Sequence, residues 1–245
     1  MKATTQCIVL CGGQSTRWHG YRHSRRKHLI EVEGEILLSR TLRLVTACAP
    51  IKPAVVVNKN DIDLFASQLS GKAELYRIDD DISYKTEAYK FLSSQELWNP
   101  NGRTVVLLGD VWFSEAAILT IFEDSREDWT AFGRAGPSLF TGCPHGELFA
   151  QKFTSCLEHR ANLAQLDSMY RQGICRRAGS GWAHYQLMIG RNPNIHTVGR
   201  RFVEIDDFTE DFDCPSDYDS WVQGRSKAGL RQERGGFHAK LDVLI

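Results

Sequence analysis

Cys7-Ile8-Val9-Leu10-Cys11-Gly12-Gly13-Gln14-Ser15-Thr16-Arg17, followed ten residues later by Lys27, is the stretch on which the fold turns. A short apolar strand, Cys7 to Leu10, empties into two glycines, a hydroxyl pair and a guanidinium. Glycines at a strand exit let backbone N–H groups approach an anion closely, and Arg and Lys supply charge that follows it. The run therefore reads as a polyphosphate cradle, with Leu10, Cys11, Gly12, Gly13, Gln14, Ser15 and Thr16 as nucleotide-binding candidates. A competing reading is a tight strand-to-helix turn with a solvated Arg17. The pattern matches neither the dinucleotide fingerprint GxGxxG nor the P-loop GxxxxGK[ST], which removes the usual signatures of hydride transfer and P-loop hydrolysis.

Working outward, the chain alternates strand and helix patterns. Gly34 leads into a helix with Leu37, Leu38, Thr41, Leu42 and Val45 on one face, and Ala54 to Val57 is a continuous apolar run, as expected of a parallel strand buried on both faces. Asp61 is positioned to cap a helix carrying Leu64, Phe65 and Leu69, and Leu75 to Ile78 is a further strand. A helix is expected over 85–98, broken by Asn99-Pro100-Asn101-Gly102, and Thr104 to Leu108 is the clearest buried strand. Short connections over the first 125 residues imply a mostly parallel sheet with right-handed crossovers. Beyond them, Trp129 to Gly133 and Leu148 to Phe153 read as strands, and 156–172 and 215–223 as helices. Residues 174–201 have no clear pattern, and Phe237 to Ile245 suits a terminal strand or an oligomer contact.

Two acidic motifs add chemistry. Gly109-Asp110 ends the strongest strand, where a carboxylate would lie beside the glycine loop if the two strands are neighbours. Hard divalent cations are often held by one or two protein carboxylates plus phosphate oxygens. Asp211-Phe212-Asp213-Cys214-Pro215-Ser216-Asp217-Tyr218 places two carboxylates on one side of an extended segment. Each motif has a competing reading as a helix cap, since Ser114-Glu115 and Pro215 open helices.

Composition bounds the function classes. Thirty basic and thirty acidic residues give no net charge, so a broad nucleic-acid footprint is absent, and 42% hydrophobic with 24% charged residues is ordinary for a globular protein. The seven cysteines are scattered without a CxxC pair, which argues against a disulfide framework and for a reducing compartment. With no signal-peptide core and no apolar run approaching about 18 residues, the expected location is cytoplasmic, away from membranes.

Taken together, these motifs resemble the nucleotidyltransferases that activate sugar phosphates (pyrophosphorylases), including the molybdenum-cofactor guanylyltransferase type. That family opens with Leu-Ala-Gly-Gly-x-Gly/Ser-Thr-Arg, then has a Pro-Lys pair, a Gly-Asp strand end and a late Asp-x-Asp-Thr-Pro-Glu-Asp-Leu. Here Leu10 to Arg17, Arg26-Lys27, Gly109-Asp110 and Asp211 to Tyr218 follow in the same order. Thr86-Glu87-Ala88 is similar to the family's Gly-Thr-Ala helix start near the base. Cys11, Arg26, Lys85 and Cys214 depart from the pattern without removing a charge or ligand.

The resemblance implies one Rossmann-like α/β domain of the GT-A type, with a mostly parallel mixed sheet flanked by helices. It would span 1–224, with a nucleotide-binding half (1–125), an acceptor half (126–224) and a C-terminal extension (225–245). It implies attack of an acceptor phosphate on the α-phosphorus of a nucleoside triphosphate with release of pyrophosphate. Arg17 would neutralise the β/γ end and Lys27 the α-phosphate. Asp110 and Asp213 would hold Mg²⁺, with Asp211 left open, and Thr86 and Glu87 would lie by the base. For the acceptor, with a sugar phosphate as the family's commonest case, the candidates are Glu147, Lys152, Trp182 and Arg201. A homodimer is left open, as are the base and the acceptor. Two rivals remain: a GT-A glycosyltransferase using a nucleotide-sugar, which would ordinarily place Asp-x-Asp where Trp112 follows Asp110, and a non-catalytic nucleotide-binding protein.

Overall fold

A computed structural model describes residues 4–13, 15–18, 26–69, 71–78, 86–176 and 180–227. Gln14, Arg22 to Arg25, Lys85 and the suggested strand at Phe237 to Ile245 lie outside these. In chain order the strands are β1 (Thr5–Leu10), β2 (Glu31–Val32), β3 (Glu35–Ile36), β4 (Ala54–Asn58), β5 (Glu74–Ile78), β6 (Arg103–Leu108), β7 (Val111–Trp112), β8 (Thr130–Arg134), β9 (Glu147–Phe153), β10 (Phe202–Glu204) and β11 (Glu210–Asp211). The helices are α1 (Leu37–Cys48), α2 (Ile62–Leu69), α3 (Tyr89–Leu92), α4 (Glu115–Glu123), α5 (Cys156–Arg171), α6 (Ser180–Met188) and α7 (Pro215–Lys227).

Seven strands form one sheet in the order β10-β8-β9-β6-β1-β4-β5, parallel except for β9, which runs against both β6 and β8. The apolar runs explain the centre of this order. In β1, Cys7 and Val9 face one side and Ile8 and Leu10 the other, and all four are buried. A strand that is apolar on both faces is stable only where helices cover both. Leu38, Leu42, Phe65 and Ile118 from α1, α2 and α4 pack on the first face. Phe91, Leu163, Tyr185 and Met188 from α3, α5 and α6 pack on the second. A smaller cluster of Trp18, Trp112, Phe212, Tyr218 and Trp221 seats α7 against the glycine-loop side.

The chain runs outward from β1 through β4 to β5, then returns to place β6 on the other flank of β1. Such a reversal opens a crevice at the strands' carboxyl ends. Three local expectations need correction. The helix anticipated over 85–98 is cut to α3 and a 3-10 turn at Gln95–Leu97, because the Ser93 and Ser94 hydroxyls donate to the Lys90 and Phe91 carbonyls and compete with helix propagation. Asp61 closes a 3-10 turn before α2 and gives its carboxylate to Arg26 (2.7 Å). The unpatterned stretch 174–201 contains α6, whose apolar residues spread around the helix because it is buried among aromatics.

Candidate functional site

The parallel register pairs Leu10 with Leu108, so Cys11 and Gly109 leave the sheet side by side. Cys11 N–H donates to Val56 O (2.8 Å) and Gly109 N–H to Leu10 O (3.0 Å), which fixes both exits. Close approach requires glycine at Gly109, where a Cβ would sit 2.8 Å from the Leu10 backbone O, and favours it at Gly12, where a Cβ would sit 2.9 Å from the tip of the Ile78 side chain, Cδ1. Ser15 adopts left-handed backbone, φ 55°, and its hydroxyl accepts from Lys27 N–H (3.1 Å), which clips the two ends of the loop together. The 3-10 turn Thr16–Trp18 follows. Trp18 is fully buried and its indole donates to Phe212 O (3.2 Å).

That indole bond reaches the residue between Asp211 and Asp213. β11 pairs antiparallel with β7, with Asp211 opposite Val111, and Phe212 N–H donates to Asp110 O (3.2 Å). Residues 101 positions apart in sequence are thereby folded onto one spot, and Asp110, Asp211 and Asp213 each bring a carboxylate oxygen to within 4.8 Å of the others. Lys27 Nζ lies among them, ion-paired with Asp110 and 3.1 Å from Asp213 Oδ1, while Arg17 Nη2 is 3.1 Å from Asp213 Oδ2.

The charges are strongly coupled. Burial works to lower the Lys27 pKa, but Asp110, Asp211 and Asp213 together outweigh it and raise it, so the ammonium stays protonated. Burial likewise works to raise the Asp110 carboxyl, yet Lys27 and His28 hold it below its ordinary value. Asp211 is pushed well above the usual carboxylate range by burial and by Asp110. One of its oxygens, Oδ1, is buried without a hydrogen-bond partner. Three converging carboxylates, one with an orphaned oxygen, fit a hard divalent cation of the magnesium type. Asp211 is the member that sequence reasoning left open; its signal was the two-residue spacing to Asp213 in an extended segment. Burial lowers the His28 pKa to about 4, so this imidazole beside the site is neutral.

Of the acceptor candidates, Glu147 alone is near this cluster. It opens β9, and burial together with Asp213 pushes its carboxyl up to about 7 against a lowering bond from Cys143. Trp182 is buried; its indole donates to Gly146 O (2.8 Å) and it stacks on Phe202, so it backs the Glu147 turn from inside the core. Lys152 and Arg201 require correction. Because β9 is antiparallel, Lys152 is carried to the opposite end of the sheet, opposite Val105, where it is fully buried and ion-paired with Asp124. Arg201 precedes β10 at that same end and donates to Met188 O (3.2 Å), with Glu158 3.4 Å away. On the other flank, Thr86 donates its hydroxyl to Asp167 of α5, and Glu87 pairs with Lys90 at 2.8 Å.

The family model described as the MobA-like NTP transferase domain matches residues 7–170. Among curated proteins none is found to match. Solved structures similar to this chain include one described as a glucose-1-phosphate thymidylyltransferase from Bacillus anthracis, at 12% identity and TM-score 0.64, covering 91% of this chain and 96% of that one. Another is an inositol-1-phosphate CTP transferase from T. maritima, at 13% identity and TM-score 0.62, covering 91% and 97%. A third is a CTP:phosphocholine cytidylyltransferase from Streptococcus pneumoniae, at 14% identity and TM-score 0.56, covering 89% and 98%. At these identities the likeness establishes the fold, a Rossmann-like mostly parallel sheet between helices. Among the described residues no helix is long and apolar enough to cross a membrane.

Proposed function

The chain belongs to the MobA-like NTP transferase domain family, and on that footing we propose that it is a Mg²⁺-dependent nucleotidyltransferase. It joins a nucleoside triphosphate to a small phosphorylated acceptor, with a sugar phosphate as the favoured class, and releases pyrophosphate. The observation that carries this reading is the Lys27 ammonium held among Asp110, Asp211 and Asp213, with the Lys27 backbone N–H bonded to Ser15 of the glycine loop.

In the reaction an oxygen of the acceptor phosphate forms a bond to the α-phosphorus as the bond from that phosphorus to the β-phosphate bridging oxygen breaks. Two anions have to meet, so positioning and charge neutralisation carry the catalysis. Backbone N–H groups around Gly12 and Gly13, with Leu10 and Cys11 behind them and Ser15 and Thr16 beyond, cradle the triphosphate. Arg17 exchanges Asp213 for the β- and γ-phosphates. Lys27, kept cationic by the aspartates, serves as a fixed positive charge at the α-phosphate and not as a base. Asp110, Asp213 and Asp211 hold Mg²⁺, which when bound supplies Lewis-acid polarisation of the phosphoryl group. Thr86 and Glu87 flank the base, and Glu147 accepts from a hydroxyl of the acceptor.

The test is a matrix of the four ribonucleoside triphosphates against acceptor phosphates, followed by pyrophosphate release with Mg²⁺ and with a chelator present. Turnover in at least one pairing, lost with chelator and in Asp110→Asn, is expected. Turnover that needs a finished nucleotide-sugar and yields no pyrophosphate from a triphosphate would replace this reading with glycosyl transfer.

A further inference from the structure

Between β8 and β9, beyond the residues given a phosphate or magnesium role, the chain makes a compact loop ending in Cys143-Pro144-His145-Gly146-Glu147. One ligand atom each from Cys143, His145 and Glu147 lies within 4.8 Å of the other two. The spacing is tighter than that limit: Cys143 Sγ is 3.4 Å from Glu147 Oε1, and His145 Nε2 is 3.5 Å from the same oxygen. In a tetrahedral zinc site, Zn–S near 2.3 Å and Zn–N and Zn–O near 2.0 Å place a sulfur and an oxygen roughly 3.5 Å apart, and a nitrogen and an oxygen roughly 3.3 Å apart. Both separations from the Glu147 oxygen lie within about 0.2 Å of those edges, and the Cys143 and His145 ligand atoms lie within 4.8 Å of each other. Thiolate, imidazole and carboxylate together select a borderline-soft cation, in contrast to the all-oxygen aspartate cluster.

The loop is held in this shape from several sides. Cys143 O accepts from Ser138 N–H (2.8 Å), and Ser138 Oγ accepts from Phe140 N–H (3.1 Å) and Thr141 N–H (3.0 Å) while bonding Glu210. Gly142 takes left-handed backbone, φ 75°, and Gly146 lies so close to Ala135 O that a Cβ there would be 2.5 Å away. Trp182 fixes the Gly146 carbonyl from the core side. The guanidinium of Arg134, opposite Glu147 in the β8–β9 register, is turned to Glu210 (2.8 Å). Glu147 keeps its direct contacts with the Cys143 thiol and the His145 imidazole, while Arg134, Asp213 and Glu210 act on it through their charges.

We propose that Cys143, His145 and Glu147 form a second metal site, distinct from the aspartate cluster, that binds one Zn²⁺ with an open fourth position. On binding, the Cys143 S–H bond breaks, its proton passes to solvent and the thiolate sulfur joins the cation; neutral His145 and ionised Glu147 complete the set. Exposed His145 puts the fourth position toward solvent, where water or an anion completes the tetrahedron. Glu147 and Asp213 feel each other's charge, so a cation here also reduces the negative field at the aspartates. The acceptor contact proposed for Glu147 uses its other oxygen. The inference does not depend on the proposed reaction.

The experiment titrates the untagged, metal-stripped full chain with Zn²⁺ against a chromogenic zinc chelator, in excess Mg²⁺ to occupy the aspartates, and repeats the titration with Co²⁺. The expected result is one equivalent of Zn²⁺ and a thiolate-to-cobalt charge-transfer band in the near ultraviolet. Cys143→Ser and His145→Ala should each weaken Zn²⁺ binding at least tenfold and Cys143→Ser should abolish the band, while Asp211→Asn keeps both. Thermal melts of the variants confirm that they fold. Zn²⁺ binding equal to wild type in both loop variants, no Zn²⁺ taken up, or a cobalt spectrum without the thiolate band would overturn the proposal. Pyrophosphate-releasing turnover in that event would leave the functional reading standing.

Discussion

Replacing Lys27 by methionine keeps the aliphatic stem and removes the ammonium that sits among the three aspartates, while Arg17 stays on Asp213. At 3.1 Å from Asp213 and an effective dielectric of about 20, Coulomb's law gives roughly 5 kcal/mol before screening. Asp213 is 47% exposed and loses much of that to water, whereas Asp110 at 19% keeps more. Breaking a buried pair by removing one partner costs about 3–5 kcal/mol, and with this exposure about 2–4 kcal/mol is expected for Lys27→Met without divalent cations. Asp110 then loses its ion-pair partner while Arg17 still holds Asp213, so Mg²⁺ should recover most of the loss. In the wild type Mg²⁺ has to displace the ammonium, so it should stabilise that protein less than the variant. Urea denaturation with and without Mg²⁺ measures both quantities. Turnover, followed as pyrophosphate, should fall by roughly 10²-fold or more even where Mg²⁺ has restored stability, the scale for loss of one preorganised charge-stabilising group. Equal stability of variant and wild type without metal, together with unchanged turnover, would refute the reasoning.

Asp211→Asn imitates the protonated form that burial favours, so metal-free stability should hold or rise while Mg²⁺ affinity, read by calorimetry, falls at least tenfold. Gly109→Ala forces a Cβ against Leu10 O and Cys11 Sγ at the mouth of the site; a loss of about 1–3 kcal/mol in denaturant midpoint is expected, and an unperturbed midpoint would mean that the strand exits give way easily. His159 and His184 are buried in an aromatic cluster, ring centroids 4.9 Å apart, with none of their four nitrogens hydrogen-bonded. Burial lowers both pKa values, that of His184 to about 3. Their folded values lie below the unfolded one near 6.5, so this stability is complete above that pH and drains away as pH falls through it, at up to about 2.7 kcal/mol per unit for the pair. Melting temperature should therefore drop between pH 7 and pH 5, and His184→Phe should flatten that slope.

The residues of the phosphate loop were legible because their chemistry is local. Gly12 and Gly13 at the end of an apolar strand, with Arg17 and Lys27 close behind, carry their meaning within about two dozen residues. The central strands were legible for the same reason: an uninterrupted apolar run such as Val55 to Val57 has to be covered on both faces wherever it ends up. Glu147, Lys152 and Arg201 could not be sorted the same way, since all three are charges in a weakly patterned half. The antiparallel course of β9 sends Glu147 toward the aspartates and Lys152 to the far end of the sheet, and no local feature of the sequence announces that direction.

What the sequence determined by itself is the set of short-range devices: strands needing burial on both faces, a glycine turn suited to anions, and carboxylates in pairs. What only the tertiary structure decided is which of these meet. The return of the chain from β5 to β6 sets Leu10 beside Leu108, and the β7–β11 pairing with the Trp18–Phe212 bond brings Asp211 and Asp213 onto Asp110. The physical reason is that convergence across some hundred residues depends on strand order and register, which the whole core selects by burying both faces of the sheet at once. The charge states at the site follow from that packing too, since the nearby aspartates hold Lys27 protonated against its burial, and burial with Asp110 pushes Asp211 toward its protonated form.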